Sequence, residues 1–154
     1  MVKNILVVCT GNICRSPMAE ALLKHHLKKQ GADRVVSSAG IQALEGRPAD
    51  SIAQELMTQK GIEISHHRAR QLNAEMVHAS DLILVMSRDQ KKQVEQGFPN
   101  SQGKVFRLGE QEGFDVIDPY KRMRAIFEQS LAQIEYGLEH WYQVLSPKSE
   151  REAS

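Results

Sequence analysis

The hydrophobic positions of this chain follow two alternating patterns. Short runs weighted toward Val, Ile and Leu occupy positions 4–8, 35–38, 82–86 and 104–108, and their length predicts four strands. Between the runs, apolar residues recur every three or four positions, the spacing of one helix face. Met18, Leu22, Leu23 and Leu27 predict a helix over 17–30 that stops at Gly31, and Ile52, Leu56 and Met57 predict another over 50–60 that stops at Gly61. Both glycines read as left-handed C-terminal caps. Asn73 opens a short helix before Ser80, and a further one covers 88–96, ended by Gly97 and Pro99. The longest helix runs from near Lys121 to about Leu145, with a stripe of Met123, Ile126, Phe127, Leu131, Ile134, Leu138, Trp141 and Leu145; Ser146 and Pro147 close it. Tyr136 and Tyr142, on the same helix, read as partly buried packing residues.

Strands alternating with helices predict an α/β fold with a parallel sheet covered on both faces. The expected form is a small doubly wound four-stranded sheet, flavodoxin-like, with strand order 2-1-3-4. Ligands of such sheets bind beyond the carboxyl ends of the strands, beside the point where strand order reverses. Cys9 follows the first run and falls at that end.

Bulk properties narrow the function classes. A chain of 154 residues, 41% hydrophobic, suits one globular domain over 1–148 with a polar, disordered tail over 149–154. Its 20 basic and 19 acidic residues leave a net charge of +1 without long blocks of one sign, so neither nucleic acid nor a membrane surface is an expected partner. The apolar run 5–8 is too short for a membrane span or a signal-peptide core. A cytoplasmic monomer is expected. Two cysteines, Cys9 and Cys14, are too few for a disulfide framework or a structural zinc site, and both lie in one short loop, which suits reactivity better than cross-linking.

That loop carries the chemistry. In Cys9-Thr10-Gly11-Asn12-Ile13-Cys14-Arg15 a thiol and a guanidinium stand at the two ends of one turn, and Ser16-Pro17 reads as an N-cap followed by a first-turn proline. A helix N-terminus offers unpaired N–H groups and partial positive charge, a ready anion site. Arg15 adds a planar fork for two phosphate oxygens, and Gly11 lets the backbone come close and take positive φ. The loop is therefore a cradle for a tetrahedral oxyanion whose positive surroundings favour a Cys9 thiolate, a nucleophile aimed at the held phosphorus. It lacks the Lys-Ser/Thr ending of nucleotide-binding loops and a nearby carboxylate for magnesium, so nucleotide hydrolysis is disfavoured and neither a metal nor a cofactor is expected. The leaving group needs a proton. Asp118, in Ile117-Asp118-Pro119-Tyr120 after the fourth strand, is the candidate donor and must carry its proton when substrate is bound.

The stretch VCTGNICRSPMAE with a late DPY resembles the low-molecular-weight protein-tyrosine phosphatases. Further matches are Ser38-Ala39-Gly40, Gly46-Arg47-Pro48-Ala49-Asp50, His67-Arg68-Ala69-Arg70-Gln71-Leu72 and the third strand. The resemblance implies that Cys9 forms a cysteinyl-phosphate, that Arg15 orients the phosphate, and that Asp118 protonates the tyrosine oxygen and later activates water. It implies that Asn12 is left-handed and held by Ser16, Ser38 and His67, with Ser16 also bonded to the thiolate; ordinary loop capping and a surface imidazole remain open readings of Ser38 and His67. Tyr120 and Leu44 become the walls of the phosphotyrosine cleft. With Lys121 after Tyr120 and Leu44 opposite, the chain resembles the Gram-negative branch that acts on tyrosine autokinases of exopolysaccharide export, which makes such a phosphoprotein the expected partner. Cys14, by the same resemblance, traps oxidised Cys9 as a disulfide; a small residue packed under the loop is the plain alternative.

Three other classes have a use for the loop. A thioredoxin-coupled arsenate reductase needs further cysteines downstream, and none follows Cys14. A phosphotyrosine-binding module without turnover would have lost Cys9, Arg15 or Asp118, and all three are present. A flavodoxin-like cofactor binder gives the cysteine no purpose.

Overall fold

A computed structural model describes residues 2–147. The expected tail over 149–154 and the outermost residues of the expected domain lie outside them. The elements run β1 (Asn4–Cys9), α1 (Arg15–Lys29), β2 (Val35–Gly40), α2 (Ser51–Gln59), α3 (Ala74–Ala79), β3 (Leu82–Val85), α4 (Arg88–Gly97), β4 (Val105–Arg107) and α5 (Arg124–Val144). A one-turn 3-10 helix at Pro99–Ser101 precedes β4.

All strand pairs are parallel, in the order β2-β1-β3-β4. The fold is therefore the flavodoxin-like α/β sheet, with both central strands buried. Alternation along β1 divides the interior in two. Ile5, Val7 and Cys9 pack with α1, α2 and α5, through residues such as Met18, Leu23, Met57, Phe127 and Ile134. Leu6 and Val8 face the opposite way, onto Val77 of α3 and Val94 of α4, together with Ile83, Val85 and Val105. Helices thus cover both faces, and β1 lies between β2 and β3 with its carboxyl end at the reversal of strand order. Among the described residues no helix is long and apolar enough to cross a membrane.

The glycine stops hold: Gly31 and Gly61 follow the last residues of α1 and α2 with φ of 70° and 77°. Asn73 caps α3, its side chain accepting from Met76 N. Three local expectations are corrected. α1 begins at Arg15, so Ser16 is not its N-cap; the fully buried hydroxyl points at Cys9 instead of at the backbone. α5 begins at Arg124 rather than near Lys121, because residues 119–122 close a turn through Arg122 N donating to Pro119 O, with Lys121 at φ 60°. Tyr136 is 61% exposed and stacks on Phe114 at 5.8 Å rather than packing inward.

Candidate active site

β1 is hydrogen-bonded on both sides and α1 is anchored by Met18, Leu23 and Leu27, so the residues joining them are held between two fixed supports. Within this loop the positive φ falls on Asn12, at 60°, and not on Gly11. A Cβ on Gly11 would stand 3.7 Å from Leu44, an ordinary contact distance, so neither backbone angle nor space demands glycine there.

The left-handed turn is secured from several directions. Asn12 is fully buried; its Nδ2 donates to Ser16 Oγ at 2.7 Å and Ser38 Oγ at 3.0 Å, and its Oδ1 accepts from Arg70 N at 2.9 Å. His67 Nε2 meets the Asn12 carbonyl at 2.7 Å. A residue that tolerates left-handed backbone and carries both a donor and an acceptor satisfies all these groups at once. Behind it, Ser38 Oγ donates to Glu20 Oε1 at 2.5 Å and Arg70 Nε donates to Ser38 O at 3.1 Å. Glu20 and the Arg70 contacts are supports that sequence reasoning missed; only their place inside the matched stretches hinted at them.

Cys9 Sγ lies 3.0 Å from Ser16 Oγ and is 2% exposed. Arg15, also buried, is aimed by Nη1 donating to Val116 O at 3.0 Å, which ties the loop to the segment after β4. That segment is fixed in turn: Val116 N donates to Met86 O at 2.8 Å and Ile117 N to Gln133 Oε1 at 2.8 Å. The next residue is Asp118. Its Oδ2 stands 3.5 Å from Arg15 Nη2, its Oδ1 accepts from Tyr120 N at 3.1 Å, and its side chain is half exposed. Two residues far apart in sequence thus face each other at one site.

A cleft of about 210 Å³ is lined by Cys9, Thr10, Gly11, Ile13, Cys14, Arg15, Gln42, Leu44, Asp118 and Tyr120. Leu44 and Tyr120 both border it; Ser16, Ser38, His67 and Asn12 stand behind it. Gln42 is an addition, brought in by the turn after β2, where Gln42 N donates to Thr10 O at 2.9 Å. A larger groove of about 450 Å³ lies beyond the Asn12 supports, between α1 and residues 62–70, but neither cysteine reaches it. Burial, then the Asp50 carboxylate, pushes the Cys14 thiol far above the ordinary range, which disfavours its thiolate. Both cysteines are free thiols.

Chemically, the site offers a shielded sulfur, a guanidinium fork, a loop lying against a helix N-terminus, and a half-exposed carboxyl across an open cleft. Comparison with known proteins points the same way. Residues 4–151 match the family model described as low molecular weight phosphotyrosine protein phosphatase. The chain is 52% identical over 141 residues to the probable low molecular weight protein-tyrosine-phosphatase EpsP of Ralstonia solanacearum, covering 92% of this chain and 94% of that one. Among solved structures it is similar to the Erwinia amylovora tyrosine phosphatase AmsI, with TM-score 0.87, 40% identity and 95% of each chain covered. It is also similar to Vibrio vulnificus Wzb in complex with benzylphosphonate, with TM-score 0.88, 33% identity and coverage of 94% of this chain and all of that one.

Proposed function

We propose that this chain, which belongs to the low-molecular-weight phosphotyrosine protein phosphatase family and is a metal-independent hydrolase of phosphotyrosine, works through a covalent intermediate on Cys9. The observation that carries the reading is the meeting of Cys9, Arg15 and Asp118 around one cleft. The phosphoryl group sits in the loop with two oxygens on the Arg15 fork and others on backbone N–H groups. The Cys9 thiolate attacks phosphorus as the bond to the tyrosine oxygen breaks, and Asp118 gives its proton to that oxygen. Tyrosine leaves and a cysteinyl-phosphate remains. Asp118, now a carboxylate, takes a proton from water; the water oxygen bonds to phosphorus, the S–P bond breaks, and the Ser16 hydroxyl at 3.0 Å stabilises the departing thiolate. Phosphate then leaves.

Leu44 and Tyr120 flank the tyrosine ring in this reading, and depth selects the substrate: a phenyl ring carries its phosphate further from the backbone than a serine side chain does. The benzylphosphonate bound by the Vibrio relative, an aromatic ring on a phosphorus acid, supports a cleft of that kind. The partner is a tyrosine-phosphorylated protein. We assign it more narrowly to a bacterial tyrosine autokinase of exopolysaccharide export, on the support of Lys121 after Tyr120, Leu44 opposite, and the match to EpsP and AmsI. This goes with a cytoplasmic location, where thiols stay reduced.

The test compares hydrolysis of a phosphotyrosine peptide by the native protein, Cys9→Ser and Asp118→Asn, with a chelator present throughout. Native turnover should persist, Cys9→Ser should show none, and Asp118→Asn should lose about 10²–10³-fold in kcat. Undiminished turnover by Cys9→Ser overturns the mechanism. Arsenate reduction coupled to thioredoxin, without phosphatase activity, would reverse the choice of reaction. Purified phosphorylated autokinase, followed by loss of phosphotyrosine, tests the narrower assignment; hydrolysis no faster than that of an unrelated phosphopeptide rejects it.

A further inference from the structure

Gln90, in the first turn of α4, is only 4% exposed and both ends of its amide are engaged. Ser87 caps α4, its Oγ accepting from Gln90 N at 3.1 Å. In the usual reciprocal box the side chain three residues on reaches back to the N–H of the capping residue itself. Here it reaches one residue further: Gln90 Oε1 accepts from Met86 N, just past β3, at 2.8 Å. That leaves Nε2 to donate to Thr10 Oγ1 at 3.1 Å, beside the nucleophile and on the wall of the catalytic cleft. A carboxylate at this position could satisfy Met86 N equally well. Only an amide can also donate to Thr10.

We propose that Gln90 is a positioning residue for substrate binding. It holds the Thr10 side chain on the cleft wall, and by occupying a lone pair of Oγ1 it leaves the hydroxyl proton for an acceptor on the substrate. The inference rests on the reading of the loop as the phosphoryl site, and it goes beyond that reading by extending the site to α4.

The variant that separates this role from helix capping is Gln90→Glu. One carboxylate oxygen keeps the bond from Met86 N, while the other can only accept, so the Thr10 hydroxyl proton is drawn away from the cleft. KM for a phosphotyrosine peptide should rise about fivefold, the worth of one ordinary hydrogen bond, with kcat within about twofold of native. Gln90→Met, neutral and of similar length, should raise KM comparably, which separates loss of the donor from charge repulsion. Thr10→Val should raise KM likewise, and Thr10→Val combined with Gln90→Glu should be no worse than Thr10→Val alone. At acidic pH the carboxyl of Gln90→Glu regains a proton to donate, and KM should return toward native. Melting temperatures establish that each variant is folded, and Thr10→Val reads the same interaction should the Gln90 variants unfold. Native KM in the Gln90 variants, or KM losses that multiply in the double variant, overturns the inference while leaving the catalytic reading intact. A native protein without phosphotyrosine hydrolysis would instead overturn that reading.

Discussion

Replacing Asn12 by alanine removes the most heavily bonded side chain of the catalytic loop. Three side-chain hydrogen bonds vanish, to Ser16, to Ser38 and from Arg70 N, each worth about 1 kcal/mol net. The φ of 60° persists, and alanine tolerates it worse than asparagine by about 1 kcal/mol. The site is fully buried, so water does not replace the lost partners, and the total is about 4 kcal/mol. For a domain of this size that is a fall of about 8–16 °C in melting temperature. Asn12→Gly loses the same bonds without the backbone strain and should recover about 1 kcal/mol relative to alanine. Urea unfolding of the three proteins measures these differences, and peptide hydrolysis should drop about 10²-fold in kcat/KM for Asn12→Ala as the loop relaxes out of register. Stability of Asn12→Ala within 1 kcal/mol of native would refute the account of the network. Glycine less stable than alanine would refute the strain.

Gly40→Ala should impair both stability and turnover, since a Cβ there would stand 2.6 Å from the Thr10 carbonyl and push on the catalytic loop; about 1–3 kcal/mol by thermal melts, with reduced kcat/KM, is expected. Phe127→Ala empties the largest fully buried position between α5 and the sheet and should cost about 3–5 kcal/mol in urea unfolding, with turnover largely kept under folding conditions. The N–H groups of Asn4 and Lys3, both donating to Asp81 Oδ2, hold that carboxyl below the ordinary carboxylate range. A carboxyl lowered on folding contributes fully at neutral pH, and its contribution is lost as pH falls through the folded value, so Asp81→Asn should flatten the acid limb of the stability profile below about pH 4.

Much of this architecture could be read along the chain because its causes are local. An unbroken apolar run makes β1 wherever it is buried, and the glycines after α1 and α2 end those helices by backbone geometry alone. The spacing from Cys9 to Arg15 likewise implied an anion cradle. What stayed hidden depends on partners distant in sequence. By local pattern Ser16 looked like a helix cap, and only the family resemblance set its hydroxyl against Cys9, where the fold places it. From the loop's own residues Gly11 was the natural choice for positive φ; only the family resemblance pointed to Asn12, where buried donors and acceptors from β2 and residues 67–70 converge. Gln90 read as one polar residue among many on α4, and only the adjacency of β1 and β3 turns it toward Thr10. Tyr136 lies near the apolar stripe of α5, but Phe114 of the segment after β4 stacks on one side of it and leaves it 61% exposed.

The supports of Asn12 come from α1, β2 and the stretch preceding α3, so the conformation of the catalytic turn is not a property of its own residues. Transplanting Cys9 to Arg15 onto another strand and helix would carry over the reactive groups without the shape that makes them work. A redesigned host would need Ser38, His67, the Arg70 amide and Glu20 in matching places. The smallest portable unit is therefore β1, α1 and β2 together with residues 67–70.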